Sequence, residues 1–173
     1  MKTLALANVC YYRALTPRWA HDPLSGEGAA ITGGRFNPVG YAALYLADTP
    51  ETAIAEAQQS QLIMPPRTLC SYQVSVSQVV DFSLGTTDRS QAAEWTMWDC
   101  NWRAIWHVDQ QRPPSWDLAD MLISDGIGGL IFPSLKNKGG TNLVVFLGNL
   151  SGSDLIGCND PERDLPRDQS SWA

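Results

Sequence analysis

The order in which strand-like and helix-like segments follow one another constrains the fold of this 173-residue chain most strongly. Strand patterns occur early and again late, at residues 3–15, 42–47, 68–76, 129–132 and 141–147. Helical patterns fall mainly between these two groups, at residues 91–111 and 116–124. Because strands and helices do not alternate regularly, the sequence predicts an α+β fold with a mostly antiparallel sheet rather than a doubly wound parallel one.

The clearest local signal is a helix start after the second strand. Thr49 suits the N-cap and Pro50 the first helical position, so we predict a helix from there to about Gln61. The preceding residues 16–40 are rich in glycine, proline and polar side chains, which predicts a long ordered loop. Loops of that length inside a compact domain usually carry function.

The middle of the chain is rich in tryptophan. Residues 91–111 predict a helix that carries four of the seven tryptophans, namely Trp95, Trp98, Trp102 and Trp106. Because they recur at steps of three and four residues, they would share one helical face, which is more often buried than offered to a partner. A non-catalytic partner-binding module built on that face is the alternative.

Length and charge limit the classes of function. The chain suits one domain, which we assign to residues 1–150, with residues 151–173 as a polar tail that is either part of that domain or loosely held. The formal net charge of -6 argues against direct nucleic-acid binding, because neutralising phosphates needs a basic face. A small anionic ligand stays compatible with this charge, since it needs only a few arginines placed locally.

Metal binding and secretion are also disfavoured. The cysteines are spread widely without a CxxC pair, and the two histidines, His21 and His107, stand at no metal-ligand spacing, so no metal site is predicted. No window resembles a secretory leader or is apolar over the length of a membrane span. We therefore expect a cytoplasmic protein with reduced thiols and no membrane partner.

The most informative motif is the segment at residues 33–40, which reads GGRFNPVG. Its two glycines allow positive φ or a close approach of the backbone to a ligand. Arg35 then offers a planar fork of donors that suits phosphate or carboxylate. A plain surface turn with a solvated arginine explains the segment equally well on its own, and it matches neither a Walker loop nor a GxGxxG motif.

Four further residues stand where chemistry could occur: Arg13, Tyr45, Glu56 and Ser134. Each has a commoner structural explanation, respectively a salt bridge, a core aromatic, an exposed helical glutamate and a turn serine. Ser134 lacks the GxSxG elbow of a hydrolase nucleophile, and nothing in the sequence pairs it with a histidine. A hydrolase that uses Ser134 or Cys100 is therefore a weaker hypothesis.

Taken in chain order, these motifs resemble the RES domain, a family named for its arginine, glutamate and serine. The resemblance is carried by Tyr12-Arg13, by Gly33-Gly34-Arg35-Phe36-Asn37-Pro38, by Leu44-Tyr45-Leu46-Ala47 and by Glu51-Thr52-Ala53-Ile54-Ala55-Glu56. It extends from about Tyr11 to Leu147, and Pro133-Ser134 is its least specific part. Phe36 stands where tryptophan is more usual and is expected to keep an aromatic wall.

The resemblance implies a single domain with the fold of ADP-ribosyltransferases, built on a split sheet with flanking helices, and activity on NAD⁺. By residue-wise correspondence, Glu56, Arg35 and Tyr45 would be catalytic, and Tyr45 would stack on the nicotinamide. Arg13 and Arg35 would hold the pyrophosphate or the nicotinamide-ribose side. Further contacts to the dinucleotide are implied for Asn37, Ser134 and Asn142.

The same resemblance implies a toxin of a bacterial type II toxin–antitoxin pair, held in check by a helix-turn-helix, Xre-like antitoxin and forming a homodimer. Its reaction would be cleavage of NAD⁺ at the nicotinamide–ribose bond, by water or phosphate, which depletes NAD⁺ and arrests growth. The alternative is mono-ADP-ribosylation of a cellular protein. The resemblance thus implies NAD⁺ as the substrate. Its cleavage passes through an oxocarbenium-like state that a carboxylate can stabilise, so no metal is needed.

Overall fold

The computed structural model describes residues 2–59, 61–85 and 96–172. Within these ranges the chain forms a mixed α+β domain of strands and a few helices, as the order of elements predicts. The elements are β1 (Thr3–Leu15), α1 (Glu27–Thr32), β2 (Ala43–Ala47), α2 (Pro50–Gln58), β3 (Thr68–Asp81), α3 (Trp102–His107), α4 (Pro114–Ser124), β4 (Gly129–Pro133), β5 (Thr141–Phe146) and β6 (Leu155–Cys158).

The sheet closes on itself. Its strand order is β1-β2-β5-β4-β3-β6, and β1 also pairs with β3, so five strands form a barrel to which β6 is added along β3. All pairings are antiparallel except that of β3 with β4. Register shifts between Leu4 and Leu6 and between Leu6 and Val9 bend β1 around the barrel. The expected split sheet is thus replaced by a closed one, because the bulged β1 reaches back to the long β3.

Two apolar clusters lie on opposite faces of this sheet. One takes residues from all five barrel strands, among them Tyr11, Leu44, Tyr72 and Leu143, and therefore fills the barrel. The other packs the outer face of β4 and β5 against α4 and contains the residues Phe36, Leu118, Leu122, Leu130, Phe132, Val144 and Phe146. The predicted alternation of β3 is confirmed, since Cys70, Tyr72, Val74 and Val76 are all buried.

Three segments differ from the sequence prediction. The predicted long loop at residues 16–40 contains α1 and a 3₁₀ turn at Pro17–Trp19. Within the described part of the predicted helix over residues 91–111, the α-helix is α3, which begins after Asn101 and is capped by the side chain of that residue; residues 91–95, with Trp95, lie outside the described residues. In the predicted tail, β6 pairs with β3, so tertiary pairing recruits a segment that looks polar in sequence.

Candidate functional site

A cavity of about 570 Å³ lies where these elements meet, a volume that suits a ligand of nucleotide size. Its walls come from β1, from α1 and the loop after it, from β2, α2 and α3, and from residues 132–142. Five of the residues singled out by the sequence line it: Arg13, Arg35, Tyr45, Glu56 and Asn142. Ser134 and Asn37 lie behind the lining residues: Ser134 hydrogen-bonds to Glu56, and Asn37 hydrogen-bonds to Tyr45.

The carboxylate of Glu56 is anchored at one oxygen and open at the other. Its Oε1 accepts hydrogen bonds from Ser134 Oγ at 2.7 Å and from Asn142 Nδ2 at 2.7 Å. Its Oε2 accepts none from the residues that the structure describes. The predicted cap also holds, since Thr49 Oγ1 accepts a hydrogen bond from Thr52 N at 3.1 Å. Helix and side chain are both fixed, and one carboxylate oxygen is left for a ligand.

The hydroxyl of Ser134 is fully occupied within the protein. It donates to Glu56 and accepts from the backbone N–H groups of Lys136 at 3.1 Å and Asn137 at 2.9 Å. A serine hydroxyl has one donor and two acceptor positions, so none remains. The resemblance implies that Ser134 helps to bind or to orient the dinucleotide, and of these two roles the geometry favours the orienting one, exerted through Glu56.

The two glycines of the GGR motif are packed against the protein's own side chains. Gly33 ends α1 with φ 75°, and a Cβ there would lie 2.6 Å from Trp116 Cζ2. A Cβ on Gly34 would collide with Asn37 Oδ1 and lie 2.5 Å from the Tyr45 hydroxyl. Trp116 Nε1 also donates to the carbonyl of Gly34 at 2.6 Å. The glycines therefore let the backbone approach the side chains of Trp116, Asn37 and Tyr45 closely.

Tyr45 presents its ring to the cavity and its hydroxyl to the loop. The hydroxyl donates to Asn37 Oδ1 at 2.8 Å and accepts from Phe36 N at 2.9 Å. Asn37 is wholly buried, and its Nδ2 donates to the carbonyls of Ala29, Pro38 and Tyr41. Burial raises the pKa of the Tyr45 hydroxyl, so the phenol stays neutral. Asn37 thus positions Tyr45, and only the ring of Tyr45 is available to a ligand.

Phe36 does not form the aromatic wall that the sequence predicted. It is wholly buried and packs edge-on against Phe132, with ring centroids 4.8 Å apart. The cause is the tight turn closed by Gly34 N and Asn37 O at 3.0 Å, in which Arg35 lines the cavity while Phe36 enters the core. Phe132, against which Phe36 packs, does line the cavity.

Arg13 and Arg35 each tie a loop to the cavity wall. Arg13 Nη1 donates to two carbonyls of the loop after β1, each at 3.3 Å. Arg35 Nη1 donates to the carbonyls of Trp98 at 3.0 Å and Cys100 at 2.9 Å. Burial lowers the pKa of both guanidinium groups. Each arginine uses Nη1 to bind the backbone, and the N–H groups on its other nitrogens remain available to an anion.

The sequence missed part of the cavity wall, namely Tyr12, Trp102, Arg103, His107 and Lys136. With these residues, the described part of the lining holds the cations Arg13, Arg35, Arg103 and Lys136 and one carboxylate, Glu56. The chain is acidic overall, yet its cavity is positive, which favours an anionic ligand. Nothing in the sequence distinguishes Arg103 from a solvated arginine, because the tryptophan spacing around it suggests a core helix.

Other chemistries find little support. Cys100 does not line the cavity, and its Sγ lies 3.6 Å from Ser115 Oγ. His21 Nδ1 lies 3.1 Å from the carbonyl of Arg18, away from Ser134. Within the described ranges, no three His, Cys, Asp or Glu residues could hold a metal ion. No helix in those same ranges is both long and apolar enough to cross a membrane.

Comparisons with known proteins identify the family of this chain. The sequence matches no curated protein. In fold, the chain is similar to a chain in the crystal structure of the M. tuberculosis MbcT–MbcA toxin–antitoxin complex, with a TM-score of 0.61 and 20% identity over 91% of this chain and 85% of that one. The family model described as RES domain matches residues 11–168, nearly the whole sequence. This protein therefore belongs to the RES domain family.

Proposed function

We propose that this chain is the toxin of a toxin–antitoxin pair and that it cleaves NAD⁺ at the nicotinamide–ribose bond. The observation that carries the proposal is Glu56, a carboxylate with one anchored and one open oxygen in a cavity whose other charged lining residues, among those that the structure describes, are cations. Membership of the RES domain family supports it. Water as the acceptor makes the enzyme a glycohydrolase, and inorganic phosphate makes it a phosphorylase.

The residues suit the electronic demands of that reaction. Nicotinamide leaves as a neutral pyridine, so no proton has to be supplied to it, and positive charge develops on the ribose. The open oxygen of Glu56 can stabilise that charge and accept a proton from the attacking water. The ring of Tyr45 offers a face for the flat nicotinamide. The arginines offset the pyrophosphate charge.

The acceptor can also be a protein side chain, which would make the enzyme a mono-ADP-ribosyltransferase. Bond cleavage in that reaction would use the same carboxylate and the same cavity. The two readings differ only in what attacks the ribose after nicotinamide leaves. Acceptor dependence of nicotinamide release therefore separates them, whereas substitutions of Glu56 do not.

We further propose a helix-turn-helix antitoxin as partner and the cytoplasm as the place of action. The support is the family and the likeness in fold to a chain of a toxin–antitoxin complex. A segment of the antitoxin that covers the positive cavity would block access of NAD⁺. Co-purified antitoxin is expected to slow NAD⁺ loss, and unchanged turnover in the complex would refute this mode of control.

The decisive experiment compares Glu56→Gln with wild type in nicotinamide release. Glutamine keeps an oxygen for Ser134 and Asn142 but removes the charge, so we expect release to fall about 100- to 1000-fold with the melting temperature nearly unchanged. Glu51→Gln is the matched control, because Glu51 lies in the first turn of the same helix and is exposed.

The assay is run in plain buffer, with phosphate, and with a cell extract as protein acceptor. Release that depends on phosphate indicates a phosphorylase, and release that needs extract indicates the transferase. Wild-type release by Glu56→Gln, or no release by wild type with any acceptor, contradicts NAD⁺ cleavage at this site.

A further inference from the structure

We infer that Arg103 is the residue that binds the pyrophosphate of the substrate and so makes the site prefer dinucleotides to nucleosides. The family resemblance implies this task for Arg13 and Arg35, and it singles out no residue of α3. The assignment to Arg103 comes from the hydrogen bonds, the exposure and the charges around the cavity.

The three arginines of the cavity differ in what already binds them. Arg13 and Arg35 each donate two hydrogen bonds to backbone carbonyls. Arg103 makes no hydrogen bond or ion pair with any residue in the described ranges. A ligand that binds Arg103 therefore replaces water alone, with no internal hydrogen bond to break, and the full guanidinium fork is free for two phosphate oxygens.

Arg103 is nevertheless held in place. Its Cζ lies 4.8 Å from the centroid of the Trp102 ring, and Trp102 is buried. The segment before α3 is fixed in turn, because Arg35 binds the carbonyls of Trp98 and Cys100. A guanidinium stacked on a fixed indole loses less freedom when an anion binds than a solvated one does.

The position of Arg103 fits the pyrophosphate rather than the reacting ribose. Arg103 is exposed yet lines the cavity, so it stands at the mouth. Partial burial lowers the pKa of Arg103, and the nearby Glu56 and Tyr45, which line the same cavity, oppose that shift. In NAD⁺ the pyrophosphate is joined to the ribose that would react at Glu56. An exposed cation that lines the same cavity as Glu56 is therefore placed for that group.

Charge balance points the same way. Among the described residues that line the cavity, three arginines, Arg13, Arg35 and Arg103, surround one carboxylate, Glu56. Like charges around a cavity repel one another unless an anion enters. A pyrophosphate carries two negative charges at neutral pH, whereas a nicotinamide riboside carries none. The lining therefore favours the charged dinucleotide.

The test measures binding of ADP-ribose by calorimetry, which needs no catalysis. ADP-ribose contains the pyrophosphate but no nicotinamide. Because charge-assisted hydrogen bonds are lost, Arg103→Gln is expected to weaken ADP-ribose binding roughly 10- to 100-fold. Arg103→Lys should recover part of the affinity, since it keeps the charge without the fork. Arg18→Gln, an exposed arginine outside the cavity, should bind as wild type does.

A second arm compares cleavage of NAD⁺ with cleavage of nicotinamide riboside. Arg103→Gln is expected to raise KM for NAD⁺ with little change in kcat, and to leave riboside cleavage unchanged. Equal loss on both substrates, ADP-ribose affinity equal to wild type in the variant, or no ADP-ribose binding by wild type each overturns the assignment.

The two arms keep this assignment distinct from the proposed function on which it rests. If wild type binds ADP-ribose through Arg103 but cleaves nothing, NAD⁺ cleavage fails and the pyrophosphate site stands. If the wild type cleaves NAD⁺ and Arg103→Gln cleaves it equally well, the pyrophosphate site fails and the proposed function stands.

Discussion

The two sides of the cavity are built in different ways. On the glutamate side, Glu56 is held by side-chain donors from residues far away in sequence, Ser134 and Asn142. On the arginine side, Arg13 and Arg35 hold backbone carbonyls of loops, and Arg103 rests on an indole. The carboxylate that we propose to react is thus fixed at one atom, whereas Arg13 and Arg35, which we propose to bind the substrate, fix the loops around them. A developing cation needs a charge in one place, but a flexible pyrophosphate tolerates several geometries.

Gly34 lies between the two sides, so adding one carbon there should disturb both. A Cβ in Gly34→Ala would collide with Asn37 and Tyr45 at the base of the loop that carries Arg35. We expect a loss of about 1–3 kcal/mol in the free energy of unfolding and loss of most nicotinamide release. Chemical denaturation and the release assay measure the two effects.

Gly157→Ala is the control, because a Cβ on that residue of β6 meets nothing within 4 Å. A Gly34→Ala protein with wild-type stability and turnover would mean that the loop can shift without affecting either side of the cavity.

Substitution of Ser134 should affect only the glutamate side. In Ser134→Ala, Glu56 loses one of its two donors, and two backbone N–H groups lose their acceptor. We expect kcat to fall about 10-fold with KM for NAD⁺ nearly constant, and stability to fall by about 1–2 kcal/mol. Steady-state kinetics and chemical denaturation measure these changes.

Ser153→Ala serves as its control, because that side chain is exposed and the hydrogen bond of its hydroxyl within the described residues is to Ser151 Oγ. The opposite kinetic pattern, a raised KM with unchanged kcat, would show that Ser134 touches the dinucleotide directly.

A smaller effect is expected from Tyr45→Phe, which keeps the ring and removes the hydroxyl. Asn37 Oδ1 and Phe36 N lose a partner, so stability should fall by about 1 kcal/mol, while nicotinamide release stays within about threefold of wild type. A loss of release comparable to that of Glu56→Gln would assign the hydroxyl a chemical role.

The same variant should change the response to alkaline pH. Burial raises the folded-state pKa of Tyr45, so its stabilising contribution is complete below the ordinary tyrosine value of about 10 and is lost as pH rises above it. Wild-type stability should therefore decline above that pH more steeply than that of Tyr45→Phe. Burial also raises the pKa of Tyr72, so the stability of both proteins should still decline above that pH.

Local patterns in the sequence were sufficient for much of the fold. The Thr49-Pro50 signal located the start of α2, and the alternation from Cys70 to Val76 identified the buried face of β3. Both depend on neighbours in sequence, which a single chain displays. The GGR motif and Glu56 were likewise visible, and the cavity brings them together.

What the sequence could not provide depends on partners that are distant along the chain. β6 is a strand only because β3 offers it an edge, and α3 begins where the side chain of Asn101 accepts a hydrogen bond from Ala104 N. Arg103 became visible only as a member of the cavity wall. Ser134 and Asn37 were found, but their roles follow from hydrogen bonds that no spacing predicts.

The closure of the barrel has a consequence for how a ligand and the fold influence each other. β1 meets β2 at a single residue pair, Tyr12 with Ala47, whereas β2 and β5 pair along five residues. Tyr12 and Tyr45 line the cavity from the two sides of this narrow seam. A dinucleotide that contacts both tyrosines would link β1 to β2 at this narrow contact. Because such a ligand binds the folded chain and not the unfolded one, its binding would stabilise the closed barrel.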